Sequence, residues 1–197
     1  AMGAGLINYC RNDYERAGKL FSRALSMNTE NDLARMMLYF IDYIQGGNGD
    51  SGYGLTLKSL DWRSPAEFFG YMAKVASGGV ELESALKGGN TDQETSWLYY
   101  LAGLINIKGG DLVAAEKHFR MAVSTAAGDD HWPYLMGMSQ LEHISRSNLE
   151  VIADSDEKTA YQATTENFAQ SVRENWAVKM QNYTEQAPIR LKLLQDA

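Results

Sequence analysis

The sequence has little of several features that would indicate particular classes of protein. It has one cysteine, Cys10, so no disulfide can form within the chain, and only three prolines in 197 residues, which suits long helices. It also has no run of about 18 apolar residues, the minimum for a membrane-spanning helix. We find no signal peptide. Because Ala1 already falls within a predicted helix, we expect an upstream segment that could carry a signal or an anchor.

An excess of positive charge is missing as well. The chain has 18 Lys and Arg against 25 Asp and Glu, for a net charge of -7, and both halves are similarly acidic. Nucleic-acid binding needs a basic stripe to neutralise phosphates, and recruitment to anionic lipid needs a basic cluster. The composition therefore argues against nucleic acid and against direct membrane insertion, and the protein or peptide partner that we expect follows from the repeat described below.

Catalytic and metal-binding motifs are also missing. None of the three histidines, His118, His131 and His143, has a second ligand four residues away, as a helical metal site requires. The glycine-rich loop Gly46 to Gly54 lacks the Lys-Ser/Thr pair of a phosphate-binding loop. We interpret this loop as a linker between helices, and we expect a protein that is not an enzyme and holds no cofactor.

What the sequence does contain is an internal repeat. Residues 4–26 read AGLINYCRNDYERAGKLFSRALS, and residues 102–124 read AGLINIKGGDLVAAEKHFRMAVS. The two segments agree at 11 of 23 positions without a gap. A repeated pair of helices is the signature of an α-solenoid, in which each unit buries its apolar face against its neighbours.

The turn between the two helices carries capping signals in both copies. Asp13 and Asp111 stand where the second helix should begin and are predicted to cap it. Gly109-Gly110 can end the first helix in a left-handed conformation, and Asn12 stands at the same place in the other copy.

The two copies resemble the tetratricopeptide repeat (TPR), a helical hairpin of about 34 residues. A small residue, Gly5 or Gly103, stands where the helices cross. The second helix carries small, large and small residues at Ala17, Phe21 and Ala24, and at Ala115, Phe119 and Ala122. The resemblance implies an all-α TPR-like superhelix whose middle hairpins are degenerate. We assign residues 1–155 to this solenoid and residues 156–197 to C-terminal capping or oligomerisation helices.

The remaining helices are predicted from apolar periodicity and from breakers. The predicted segments are Asn31 to Gln45, Leu55 to Trp62, Pro65 to Ala76, Val80 to Lys87, Asp130 to Ser145, Asp156 to Glu185 and, after an interruption at Pro188, Ile189 to Gln195. The long C-terminal helix has an apolar stripe at Phe168, Val172, Trp176, Met180 and Tyr183. This stripe could cap the solenoid or form a homodimer.

The TPR resemblance also implies a partner-binding groove on the first helix of each repeat. The residues that it assigns to the groove are Trp97, Tyr100, Leu104, Ile107, Tyr134, Met138 and Leu141. Aromatic and methionine side chains are typical anchors at protein interfaces. We expect this surface to hold an apolar segment of the partner with weak dependence on salt. The alternative is that the C-terminal helix covers these residues as core.

A narrower resemblance concerns the order of the elements. The segments 62–87 and 96–123 look like the irregular middle hairpin and the late repeat of NlpI-like outer-membrane TPR lipoproteins of bacteria. This resemblance implies a periplasmic, lipid-anchored and often dimeric adaptor that brings substrates such as cell-wall hydrolases to a tail-specific protease. The alternatives are a cytosolic TPR secretion chaperone, which would hold apolar segments in a similar groove, and a structural oligomerisation module.

Overall fold

The computed structural model describes residues 1–47, 65–88, 91–126 and 132–195. Within these ranges the chain forms nine α-helices and no β-strand, which confirms the predicted all-α class. The helices are α1 (Met2–Cys10), α2 (Tyr14–Met27), α3 (Asp32–Ile44), α4 (Pro65–Ala76), α5 (Leu82–Lys87), α6 (Asp92–Gly109), α7 (Leu112–Thr125), α8 (Trp132–Val151) and α9 (Ser155–Gln195).

The hairpins α1–α2 and α6–α7 turn in the same way, as their sequences predict. The Asp13 carboxylate accepts a hydrogen bond from the Arg16 amide at 3.2 Å, and Asp111 accepts one from the Ala114 amide at 2.9 Å. Ahead of these caps, Asn12 and Gly110 have φ angles of 59° and 80°. Both copies therefore end their first helix in the left-handed region, which asparagine and glycine tolerate best.

The predicted crossing of the helices is confirmed in both hairpins. Phe21 and Phe119 are fully buried, and each ring lies directly over the small residue of the preceding helix. A Cβ atom added to Gly5 would lie 2.7 Å from the Phe21 ring, and one added to Gly103 would lie 2.4 Å from the Phe119 ring. Glycine at the crossing is therefore required by the aromatic side chain packed against it.

Helix α3 is buried on every side, although its pattern predicts a single apolar stripe. All eight residues from Met36 to Tyr43 are buried, including Asp42. A helix without an exposed face occupies the centre of a fold. At its C-terminal end, the Lys108 ammonium lies 4.3 Å from the centre of the Tyr43 ring and donates a hydrogen bond to the Gly47 carbonyl. These contacts fix the end of α3 against the end of α6.

The middle of the chain follows the prediction where the structure describes it. Helix α4 begins at Pro65, and Gly78, with a φ angle of 76°, follows its end. The predicted helix Leu55 to Trp62, most of the Gly46 to Gly54 loop and Asp130, where the predicted helix Asp130 to Ser145 begins, lie outside the described residues. Helix α6 begins with a capping box, in which Thr91 and Glu94 each bond the backbone amide of the other.

The C-terminal helices are longer than predicted. Helix α8 continues six residues past Ser145, and α9 is one helix of 41 residues that passes through Pro188. The predicted break at Pro188 is therefore wrong. A proline removes only one backbone hydrogen bond, and about nine turns of helix precede it here. Val172 of the predicted stripe is buried and Phe168 is half-buried, whereas the side chains of Trp176, Met180 and Tyr183 lie outside the described part.

Candidate protein-binding cleft

The first part of the predicted groove belongs to the core. Trp97, Tyr100 and Leu104 are at most 2% exposed. The ring of Phe40 in α3 lies 6.0 Å from that of Trp97, and Phe69 in α4 lies 5.7 Å from it on another side. These three residues do not form an open groove, because they are buried. Helices α3 and α4 pack on this face of α6 instead.

Tyr100 connects α6 with the first repeat. Its hydroxyl lies 2.6 Å from the Tyr9 hydroxyl in a buried hydrogen bond, so both polar groups have a partner. Burial raises the pKa of both tyrosines well above the ordinary value, because the charged phenolate would lose its hydration. The Tyr14 ring packs edge-on against Tyr9 with centroids 5.5 Å apart. Tyr100 is therefore a core residue of the fold.

The other predicted groove residues lie in two places. Ile107 is half-buried on α6, whereas Tyr134, Met138 and Leu141 belong to α8. Tyr134 is buried, and burial raises its pKa while the nearby Arg173 guanidinium on α9 partly opposes this effect. Met138 and Leu141 line an open cavity of about 550 Å³ between α8 and α9. The structure thus brings two of the seven predicted residues together at an accessible site.

This cavity, called here the α8–α9 cleft, has an apolar floor. Its apolar lining consists of Leu135, Met138, Leu141, Phe168 and Ala169. Leu135 is 45% exposed, and Met138 and Phe168 are half-buried, so water reaches part of this surface. A cleft of this size with apolar walls is typical of a binding site for side chains of a ligand or partner.

Three arginines and three glutamates surround the floor, so the rim carries no net charge. Arg120 pairs with Glu116 at 2.6 Å, and Arg146 pairs with Glu142 at 2.5 Å. Arg120 also lies 4.2 Å from the centre of the Phe168 ring. Glu166 and Arg173 are exposed, line the cleft and form no ion pair within the described residues.

From Ser155 to Glu174, few contacts hold α9 in place. The Asn148 amide of α8 donates a hydrogen bond to the Tyr161 hydroxyl at 2.8 Å, and this hydroxyl donates to Glu116 of α7 at 3.1 Å. Tyr161 thus contacts the C-terminal end of α8, whereas Arg173 lies near Tyr134 at the N-terminal end of α8. Helix α9 therefore runs antiparallel to α8. From Ser155 to Glu174, Val172 is its only buried residue.

Two side chains of chemically reactive types, Cys10 and His118, have well-defined surroundings. Cys10 borders both the cleft and a neighbouring cavity of about 260 Å³. Burial raises the pKa of its thiol to about 11, so it is protonated near neutral pH and is a poor nucleophile. His118 is hydrogen-bonded to Asn106 at 2.7 Å, and burial lowers its pKa, assisted by Lys117. Within the described ranges, no group of three or more metal-ligating side chains is placed to hold an ion.

The sequence analysis does not predict the wall of the cleft that α9 forms. The TPR resemblance assigns binding residues only to the first helix of each repeat. It therefore does not predict that Glu166, Ala169 and Arg173 of α9 line a binding site. The apolar stripe includes Phe168 and could have identified this helix as one wall. Leu135 lies three residues before Met138 on the same face of α8, but the resemblance does not assign it to a groove.

Comparisons with models of known protein families, with curated proteins and with solved structures found no match for this chain. Over the residues that the structure describes, no helix combines the length and the apolar character needed to cross a membrane. The function of the cleft is therefore inferred from its own residues.

Proposed function

We propose that this chain is a TPR-like adaptor, not an enzyme, that holds a segment of a partner protein in the α8–α9 cleft. The observation that carries the proposal is the open apolar floor, where Leu135, Met138 and Phe168 remain partly exposed next to a cavity of about 550 Å³. Apolar surface left in water is costly, and a partner side chain that fills the cleft would remove it from water.

The equivalence of the two hairpins supports the TPR relationship. The pairs Gly5–Phe21 and Gly103–Phe119 pack alike, and both hairpins turn through a left-handed residue followed by an aspartate cap. Repeated hairpins of this kind commonly serve as scaffolds for protein binding. The partner surface proposed here differs from the usual first-helix groove, because α3 and α4 cover α6.

The charges at the rim favour binding through apolar contacts. Two of the three arginines are already paired with glutamates, and the rim as a whole is neutral. Salt screens charge–charge attraction but has little effect on apolar burial at moderate concentration. We therefore expect most of the affinity for the partner to persist at moderate salt.

A periplasmic location in bacteria is the more specific part of the proposal, and it rests on the resemblance to NlpI-like adaptors. The irregular pair α4–α5 and the later hairpin α6–α7 agree in order with the segments that carry this resemblance. Fractionation of cells that express the complete natural gene would test it. Recovery of the protein from the cytosol would favour the secretion chaperone instead.

The experiment for the cleft compares one blocked variant with one matched control. Ala169→Trp places an indole on the floor, whereas Ala163→Trp places it on an exposed turn of the same helix away from the cleft. Purified proteins would be used to capture partners from the native lysate, and captured proteins would be identified by mass spectrometry. We expect one partner to be retained by wild type and Ala163→Trp and lost with Ala169→Trp. Equal capture by all three proteins would contradict the proposed site.

A further inference from the structure

We propose that the occupant of the α8–α9 cleft is an amphipathic helix of the partner. In this arrangement an acidic residue of that helix lies against Arg173, and a basic residue about seven positions away lies against Glu166. The inference rests on the proposed function, because it assumes that the cleft binds a protein segment. It adds the conformation and the charge pattern of that segment.

The hydrogen-bonding needs of the occupant's backbone favour a helical conformation. Both walls of the cleft are helices, whose backbone groups are already bonded within each helix, so the cleft offers side chains and no free sheet edge. An extended segment on this floor would leave its own amide and carbonyl groups without partners. A helix satisfies these groups internally and needs only side-chain contacts, which is the usual mode of recognition in an apolar groove.

The dimensions of the cleft agree with a short helix. Its lining on α8 extends from Leu135 to Arg146, which is about 16 Å along the axis at 1.5 Å per residue. On α9 the lining extends from Thr165 to Arg173, or about 12 Å. Two to three turns of a partner helix would fit this length. Ala169 keeps the floor low between the two ends, so the partner's apolar side chains can enter.

The charge pattern follows from two side chains. Glu166 and Arg173 are seven residues apart, which is nearly two turns, so they lie on one face of α9 about 10 Å from each other. Both are exposed, and neither has an ion pair within the described residues, unlike Arg120 and Arg146. A helix lying along α9 would place complementary charges at the same spacing. The apolar residues of the partner helix, three and four positions after its first charged residue, would then face the floor of the cleft.

The test uses the full chain and three synthetic helical peptides. Each peptide carries two leucines between two charged positions about seven residues apart, and these positions hold Glu and Lys, two Glu, or two Lys. Binding would be followed by fluorescence anisotropy at low salt. With wild type we expect the Glu–Lys peptide to bind most tightly, and each like-charge contact to weaken binding about two- to fivefold.

Charge reversals in the protein should reverse the preference. Arg173→Glu makes both of these α9 positions acidic and should prefer the two-Lys peptide. Glu166→Lys makes both positions basic and should prefer the two-Glu peptide. Arg23→Glu, an exposed site on α2, gives the same change in net charge as Arg173→Glu and should keep the wild-type order. A Glu–Lys peptide with a central proline, which cannot form the helix, should lose measurable binding.

Several outcomes would overturn the inference. These are equal affinities of the three peptides for every variant, binding of the proline peptide as tight as that of its parent, or no binding by any peptide at millimolar concentration. None of these results affects the lysate experiment with Ala169→Trp, so the proposed function and its helical occupant can be rejected separately.

Discussion

The hairpins α6–α7 and α8–α9 begin alike and close differently. Gly103 and Gly137 stand 34 residues apart, each on the first helix of its pair. Over Gly103 lies the ring of Phe119, from the second helix of the same hairpin. The atoms nearest to a Cβ on Gly137 instead belong to α7, led by Val123 at 2.7 Å.

This difference explains why there is a cleft between α8 and α9 but none between α6 and α7. In α6–α7 an aromatic ring fills the space between the helices, so the hairpin is solid and contributes to the core. In α8–α9 none of the described α9 side chains lies within 4 Å of a Cβ on Gly137, and α9 lies over the α7–α8 surface with a cavity of about 550 Å³ beneath it. The tightly packed aromatic contact and the open cleft therefore belong to different hairpins.

The largest effect that would test this comparison comes from Phe119→Ala. The side chain is fully buried, so we expect a loss of about 3–5 kcal/mol in the free energy of unfolding. Phe168→Ala removes the same ring from the half-buried wall of the cleft and should cost less than half as much. Urea denaturation would measure both. Equal losses would mean that the cleft is as tightly packed as the α6–α7 hairpin.

A smaller loss is expected when a methyl group is added at the crossing. In Gly103→Ala the new Cβ would lie 2.4 Å from the Phe119 ring, which must move, and we expect a cost of about 1–3 kcal/mol. The control is Gly3→Ala on α1, where no atom lies within 4 Å of the new Cβ. Alanine's helix propensity should make that variant as stable as wild type or slightly more so. A destabilisation of similar size in both proteins would point to a general effect of replacing glycine.

The bond between Tyr9 and Tyr100 links the first repeat to α6, and its removal should cost about 1–2 kcal/mol. Tyr100→Phe leaves the Tyr9 hydroxyl buried without its partner. Tyr9→Phe/Tyr100→Phe removes both hydroxyls and should cost less than the two single changes together. A double-mutant cycle in urea would measure this coupling. Additive losses would show that the hydroxyl pair does not act as a unit.

The same pair predicts how stability changes at alkaline pH. Burial raises the pKa of both tyrosines above the value of about 10 that they have when unfolded. The folded state therefore favours the neutral hydroxyls, and their contribution is complete below about pH 10 and is lost as the pH rises through the folded values. Tyr9→Phe/Tyr100→Phe should lose less stability than wild type between about pH 9 and pH 11. If the melting temperatures of wild type and the double variant fell equally with rising pH, the loss of stability would come from other titrating groups.

The smallest expected change concerns binding without unfolding. Met138→Ala should weaken partner binding by about 1 kcal/mol while the melting temperature changes little, because this side chain is half-buried at the cleft. Met27→Ala, at a site 76% exposed on α2, should leave the affinity unchanged. Titration of the captured partner would measure both. An unchanged affinity for Met138→Ala would remove this residue from the binding surface.

The sequence predicted the parts of the fold that depend on local chemistry. Capping residues such as Asp111 and the packing of Phe119 on Gly103 are set by neighbours close in the chain, so the repeat was sufficient to predict them. The repeat places Trp97 and Tyr100 on an open face, but both are buried, because repeat register assumes that each hairpin stacks only on its neighbours. The apolar periodicity of α3 and α4 shows that each helix has a face to bury. It does not show which other helix that face packs against, so it cannot predict their packing on α6.

The lining of the candidate cleft was predicted only in part. The repeat spacing of α8 indicates Met138 and Leu141, which line the cleft, whereas Arg173 and Glu166 become neighbours of α8 only through the antiparallel course of α9. That course depends on tertiary contacts such as the Asn148–Tyr161 hydrogen bond, which joins residues on different helices. No spacing rule within one helix predicts such a contact.

The enclosed position of α3 has a consequence for hydrogen exchange. The backbone amides from Met36 to Tyr43 have no route to solvent unless the helices around them separate, so we expect them to exchange only through global unfolding. The amides of the first turns of α9, which buries one side chain from Ser155 to Glu174, should exchange by local opening. A single deuterium-exchange time course would thus report the stability of the whole fold from one helix and the attachment of the cleft wall from another.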